Sequence, residues 1–163
     1  MRIRRSKDDF IQIVEIEPVH GELLRQLPSY CDPSGDAKAE ERLFSRPADP
    51  SEAQINRDWE EFVRPELRHL FLSARRVVEQ DLEQLDAVTG PEEQLSIPVA
   101  HADAWLNTLN QARLVLAARY DFSEAELSSH EGPENFLQRD VALLQINFYA
   151  LIQEHIIDAL QSR

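Results

Sequence analysis

Glycine, cysteine, positive charge and long apolar runs are all scarce in this chain, and each shortage removes a class of function. The four glycines, Gly21, Gly35, Gly90 and Gly132, lie too far apart to build a backbone loop that cradles phosphate, which excludes the usual nucleotide sites. Cys31 is the one cysteine, so no intramolecular disulfide can form, as suits a reducing cytoplasm, and no C-x-x-C pair exists for zinc or redox work. Its neighbours Asp32 and Asp36 would disfavour a thiolate, so a nucleophilic role is not expected. G-x-S-x-G and H-E-x-x-H are absent. Seventeen Lys and Arg stand against thirty Asp and Glu, a net charge of −13, which argues against a nucleic-acid partner because phosphate binding draws its affinity from basic side chains. The one basic cluster, MRIRRSK, reads as an edge strand kept soluble by charge. No apolar run approaches the roughly 18 residues that span a bilayer, and no leader-like apolar segment follows the basic start. A soluble, cytoplasmic protein with no membrane partner is expected.

What remains is a chain of 163 residues, 42% apolar, long enough for one domain over 1–163 with a substantial core. Residues 2–17 read as a β-hairpin around the turn KDD, and such a hairpin must lean on helices to be stable. Pro18 suits a first helical turn, and Leu23, Leu24 and Leu27 make a short helix over 18–27 that stops at Pro28. Residues 28–50 read as a loop that holds Cys31, with one ordered turn at ERLF. A helical bundle follows over 51–163. Ser51 with Gln54 forms a capping box opening a helix over 52–64, and Pro65 splits it from a second over 66–87, stopped by Thr89-Gly90-Pro91. Residues 88–97 connect. A third long helix spans 99–120, Ser123 with Glu126 caps a short one over 124–129, and Gly132-Pro133 opens the last, which runs to about 160. The predicted fold is mainly α: three or four long helices with the N-terminal hairpin packed on them.

Three of these helices place an ionisable group on an apolar face. The stripe Trp105, Leu106, Leu109, Leu116 and Tyr120 contains Arg113; the stripe Val63, Leu67, Leu70, Ala74, Val77 runs on to Asp81; and the stripe Leu137, Val141, Leu144, Phe148, Leu151 runs on to His155. Buried charges survive when paired and hydrogen-bonded. With the helices running up, down and up, Asp81 and His155 fall at the same level as Trp105. Arg113 lies about 12 Å lower at 1.5 Å rise per residue, nearer Glu66 or Asp140. The expectation is a set of register-fixing core pairs, Asp81 with His155 and Arg113 with a carboxylate. The last helix is apolar around most of its circumference, with a narrow polar stripe of Asp140, Asn147, Glu154 and Asp158, which places it in the middle of a bundle or at an oligomer interface.

Metal binding finds little support. Glu66-x-x-His69 is a helical E-x-x-H, but a di-iron site needs two such pairs, and Glu17-x-x-His20 includes Pro18. His101-x-Asp103 stands at a helix start, where a carboxylate caps well, and His130 falls in a loop. His101, Asp103 and His69 are the only metal-ligand candidates, and no cofactor is expected.

The run PVAHADAWLNTLNQARLVLAARYDFSEAEL, with its W-L-x-x-L-N-x-x-R-L core of Trp105, Leu106, Leu109, Asn110, Arg113 and Leu114, resembles a bacterial family known only as a domain of unknown function, number two-thousand-and-seventeen in that series. The ending FYALIQEHIIDAL and the order of parts are similar to that family too, although Ala117 stands where members often carry glycine. The resemblance implies an actinobacterial protein whose gene commonly neighbours that of the Clp protease adaptor ClpS. It implies no activity and no catalytic residue, and it adds Asn110 to Arg113 as a motif position. The preferred functional reading is a non-enzymatic interaction or adaptor-type domain that self-associates or binds a protein partner, with a link to Clp-dependent proteolysis. The alternative is a small metal- or acid–base-dependent enzyme using Asp81, His155, Arg113 and His101 with Asp103. A sealed, fully paired network would favour the first and an open cleft the second.

Overall fold

The computed structural model describes residues 1–87, 94–128 and 137–161. Strands β1 (Arg2–Arg5) and β2 (Phe10–Val14) form the expected hairpin, with Asp9 in the left-handed region at the turn. A third strand, β3 (Leu95–Pro98), pairs antiparallel with β2, so the hairpin is two-thirds of a β1-β2-β3 sheet and part of the expected connection is a strand. Ile11 faces Ile97 and Ile13 faces Leu95 across the register, and all four are fully buried. This is the period-two alternation of a sheet with one face on a core.

Helix α1 (Pro18–Tyr30) begins on Pro18 and runs through Pro28 instead of stopping there. In the last turn a proline forfeits one backbone bond, the one to the Leu24 carbonyl, and the helix tolerates the loss. Cys31, expected in a loop, is the C-cap of α1 and is buried; its thiol donates to the carbonyls of Leu27 and Thr108, both at 3.3 Å. The expected loop also contains helix α2 (Ala37–Leu43), nucleated by Asp36, whose Oδ1 accepts from the backbone N–H groups of Lys38 and Ala39 at 3.1 Å.

Helix α3 (Ala53–Asp58) does not start on a Ser51 capping box. Asp49 Oδ1 holds both the Ser51 N–H and hydroxyl, so the hydroxyl is spent backwards and the cap falls on Glu52. Pro65 does not split the helix either. A π-helical segment over Trp59–Val63 carries the chain from α3 into α4 (Arg64–Ala87), with the Arg64 N–H reaching back five residues to the Trp59 carbonyl. The wider turn gives the proline ring room where an α-turn would drive it into the carbonyl four residues earlier.

A 3₁₀ turn (Val99–His101) leads into α5 (Ala102–Arg119), and α6 (Glu124–Ser128) follows. The expected Ser123–Glu126 box is formed: Glu126 Oε2 accepts from the Ser123 N–H and hydroxyl at 2.9 and 2.7 Å, and Ser123 Oγ accepts from the Glu126 N–H at 3.3 Å. The last helix is α7 (Gln138–Gln161). The stop at Thr89-Gly90-Pro91, the start at Gly132-Pro133 and the loop placement of His130 lie outside the described residues.

Helix α5 is the hub. It packs against α1, α2, α4 and α7, and α4 and α7 scarcely meet each other. Trp105, Leu109, Ala112 and Leu116 are fully buried along it and share a core with Val78, Leu82 and Leu85 of α4, the inner face of the sheet, and Ile146, Tyr149, Ile152 and Ile156 of α7. A smaller cluster joins Ala39, Leu43 and Phe44 to Val115, with Trp59, Leu67 and Phe71 around it. Among the described residues no helix is long and apolar enough to cross a membrane.

Candidate functional site

Asp81 pairs with His101 and Trp105, not with the expected His155. Asp81, 6% exposed, accepts from Trp105 Nε1 at 2.8 Å and meets His101 Nδ1 at 3.0 Å. The reason is helical spacing: His101, on the 3₁₀ turn, stands four residues before Trp105 on the same face. His155, half-buried on α7, lies across α5 from α4 and makes no hydrogen bond to Asp81. One turn further along α4, the amide of Gln84 brackets Ser96, accepting from its N–H and donating to its carbonyl, both at 3.1 Å. That closes the outer edge of β3 with a side chain in place of a strand. Asp81 and Gln84 thus tie α4 to the strand and turn that lead into α5.

Arg113 is half-buried, and its partner is neither Glu66 nor Asp140. Its guanidinium donates to Gln153 Oε1 at 2.5 Å, while Gln153 Nε2 donates to the Leu106 carbonyl at 2.9 Å. The Nε of Arg113 is buried without an acceptor, and burial holds the group's pKa below the usual arginine range. Helices α5 and α7 run antiparallel, with Arg139 against the carbonyls of Tyr120 and Asp121 and Gln153 against Leu106, so Asp140 lies near the far end of α5. Asp140 instead accepts from the Leu137 N–H at 3.0 Å and caps its own helix. Glu66 is exposed on α4. Asn110, the other motif position, is exposed on α5 one turn before Arg113, and its neighbour Gln111 donates to Asn107.

The metal-ligand candidates are dispersed. His69 and Asp103 are exposed, His101 is engaged with Asp81, and among the described residues no group of three or more His, Cys, Asp or Glu side chains could hold a metal ion. Cys31 is sealed: burial first of all pushes its thiol up to about 12.

Two of the expected apolar stripes are displaced: of Val63, Leu67, Leu70, Ala74 and Val77 only Ala74 is buried, with Val63 47% and Leu70 55% exposed, and the larger displacement is on α7. The stripe Leu137, Val141, Leu144, Phe148, Leu151 was expected against the core. The core side is instead Ala142, Ile146, Tyr149, Ile152, Ile156 and Ala159. Four of the five stripe residues face solvent: Leu137 is 66% exposed, Val141 43%, Leu144 44% and Leu151 42%. Phe148 is covered by His20 of α1, stacked on it with ring centroids 5.6 Å apart, and the Tyr149 hydroxyl donates to the Leu23 carbonyl. The stripe is therefore an apolar strip running beside α1, with steps of four, three, four and three residues, the a/d spacing of a helix that packs on another helix.

The family model described as Domain of unknown function (DUF2017) matches residues 3–160. No curated protein and no solved structure matches the chain. The family match takes in the sheet, the Asp81 cluster, the Arg113 motif and the strip on α7, and the chain belongs to the DUF2017 family.

Proposed function

We propose that this chain is an interaction domain, not an enzyme, and that the strip on α7 receives a basic amphipathic helix of a partner protein. The carrying observation is the row Leu137, Val141, Leu144 and Leu151, left uncovered at heptad spacing on a helix whose opposite side is fully committed to the core. Exposed apolar rows of this kind mark helix-in-groove recognition. The sign of the partner follows from the rim. Asp140, Asn147 and Glu154 follow one another along one flank of the strip, and the whole chain carries −13. A second copy laid antiparallel would set acid against acid, whereas a Lys- and Arg-rimmed helix would be steered in and held in register. The ionisable groups that might have served chemistry are spent on structure: Asp81 on His101 and Trp105, Arg113 on Gln153. The gene neighbourhood implied by the family resemblance makes Clp components the first natural partners to try.

Calorimetric titration with two designed helical peptides tests this reading. One has Leu at the a and d positions and Lys elsewhere, and its counterpart has Glu in place of Lys. The Leu–Lys peptide is expected to bind the wild type and to lose that binding in the Leu144→Asp/Leu151→Asp variant, with the Leu–Glu peptide inert throughout. Equal binding to wild type and variant would show attraction by net charge alone and refute the proposed face.

A further inference from the structure

A separate cavity of about 170 Å³ opens between the α1–α2 connection and α4, and it has the make-up of a small-ligand site. Its apolar wall is Leu43, Phe44, Phe71 and Leu72, with the rings of Phe44 and Phe71 at 5.6 Å between centroids. Its polar wall holds Arg68, Arg75 and the buried Gln111. The charges facing it are asymmetric in their commitments. Arg68 is bound to Glu40 at 2.5 Å and lies over the Phe44 ring at 4.5 Å. Asp32 is occupied by the Ser34 N–H at 2.9 Å, and its carboxyl is held below the usual range by Ser34 first and by Arg75 and Arg119 more weakly. Arg75 is different. It lies 4.0 Å from Asp32 and 3.5 Å from Glu79, and neither contact has hydrogen-bond geometry; its Nε is buried without an acceptor. A guanidinium is a rigid fork built to hold a carboxylate through two parallel N–H donors; with Nε buried towards Glu79, it is the terminal N–H groups of Arg75, ion-paired with Asp32 only at 4.0 Å and without hydrogen bonds among the described residues, that are left to offer such a pair.

We infer that this cavity binds a small aromatic carboxylate, its carboxylate on Arg75 and its ring against Phe44, Phe71 and Leu72. The volume suits one ring, since a cavity of about 150 Å³ lined by apolar side chains admits benzene. A bare inorganic anion would leave the apolar wall unused, and a neutral ring would leave Arg75 with its two long ion pairs, to Asp32 and Glu79, and no hydrogen bond. The Cys31 thiol in the same wall is committed to two carbonyls, so the cavity is a binding site without a nucleophile.

Ligand-observed NMR with benzoate, benzamide and inorganic phosphate decides the matter on the full chain. Benzoate is expected to bind, with benzamide weaker by about tenfold or more, phosphate weaker still, and Arg75→Gln losing benzoate by the same factor. Arg75→Lys should retain an intermediate affinity, because the charge stays and the fork goes, and thermal melts of both variants check that the fold is kept. Equal affinity for benzoate and benzamide, phosphate binding as tight as benzoate, wild-type affinity in Arg75→Gln, or no binding of benzoate at all would each overturn the inference.

Discussion

Arg113 shows how a charged side chain on an apolar face is accommodated with no countercharge among the described residues. Its partner is a neutral amide, itself anchored on the Leu106 carbonyl. Removing the arginine therefore strands no acid. Arg113→Met is expected to change stability by about 1 kcal/mol or less in urea unfolding, whereas Gln153→Leu, which takes the acceptor from a half-buried guanidinium, should cost about 1–3 kcal/mol. A larger loss for the arginine than for the glutamine would contradict the assignment. Asp81 is the opposite case. Asp81→Ala leaves the buried indole N–H of Trp105 without an acceptor and should cost about 1–3 kcal/mol, with a change in Trp fluorescence reporting the same event. Cys31 should resist thiol reagents at neutral pH and react at ordinary rates once urea unfolds the chain, since its thiol is pushed up to about 12 and hydrogen-bonded in the fold. The candidate residues were legible one by one, but their partners were not. Asp81 and Trp105 each stood out on an apolar face, while His101 looked like a helix-start residue because the 3₁₀ turn that brings it into phase with Trp105 leaves no pattern in the sequence.

Among the elements, the long ones were legible and the short ones were not. Helices α4, α5 and α7 each carry four or more turns of apolar period; the extents of α4 and α5 and the end of α7 agree with the sequence reading to within a few residues. Helix α2 buries only Ala39 and Leu43, too few for a period to show, and its signal was the Asp36 cap after Gly35. Strand β3 is four residues long, and its alternation of Leu95 and Ile97 with Ser96 is too brief to separate from a connection. The exposed side of α7 was unreadable in principle: a helix apolar nearly all round does not declare which side meets the core. The capping box of α6 carries a pH prediction. Hydrogen bonds from the Ser123 backbone and hydroxyl, followed by Arg139, hold the Glu126 carboxyl at about 2 against an ordinary 4.5. A depressed acid stabilises the fold fully above its unfolded value and loses that contribution as pH falls through the folded one. Thermal melts should therefore show a wild-type decline between about pH 4.5 and 2 that is shallower in Glu126→Gln, with the variant less stable at neutral pH. Identical pH profiles would rule out the box as a stabilising feature.

At the scale of the whole molecule, an acidic body presents the apolar strip on α7 and, on the π-helical segment and α4, a second exposed apolar set that includes Phe62, Val63 and Leu70. On the proposed reading, the net charge of −13 argues against a phosphate backbone and against a second copy as the occupant, and the heptad spacing of the strip argues for a helix. The purified chain is expected to run as a monomer of 18.8 kDa in native mass spectrometry. Partner binding should weaken as salt rises, because rim charges steer association through a field screened over about 8 Å at physiological ionic strength. Site-specific photo-crosslinking in cells is the most direct measurement, with benzoylphenylalanine placed at Leu144 and, as a control on another face, at the exposed Arg76 of α4. The expected result is a crosslink from position 144, absent from position 76, to a segment of another protein that is helical, apolar on one side and rich in Lys and Arg. A crosslink from position 144 to a second copy of this chain, or no enrichment over position 76, would contradict the assignment of α7 as the face that receives a basic partner.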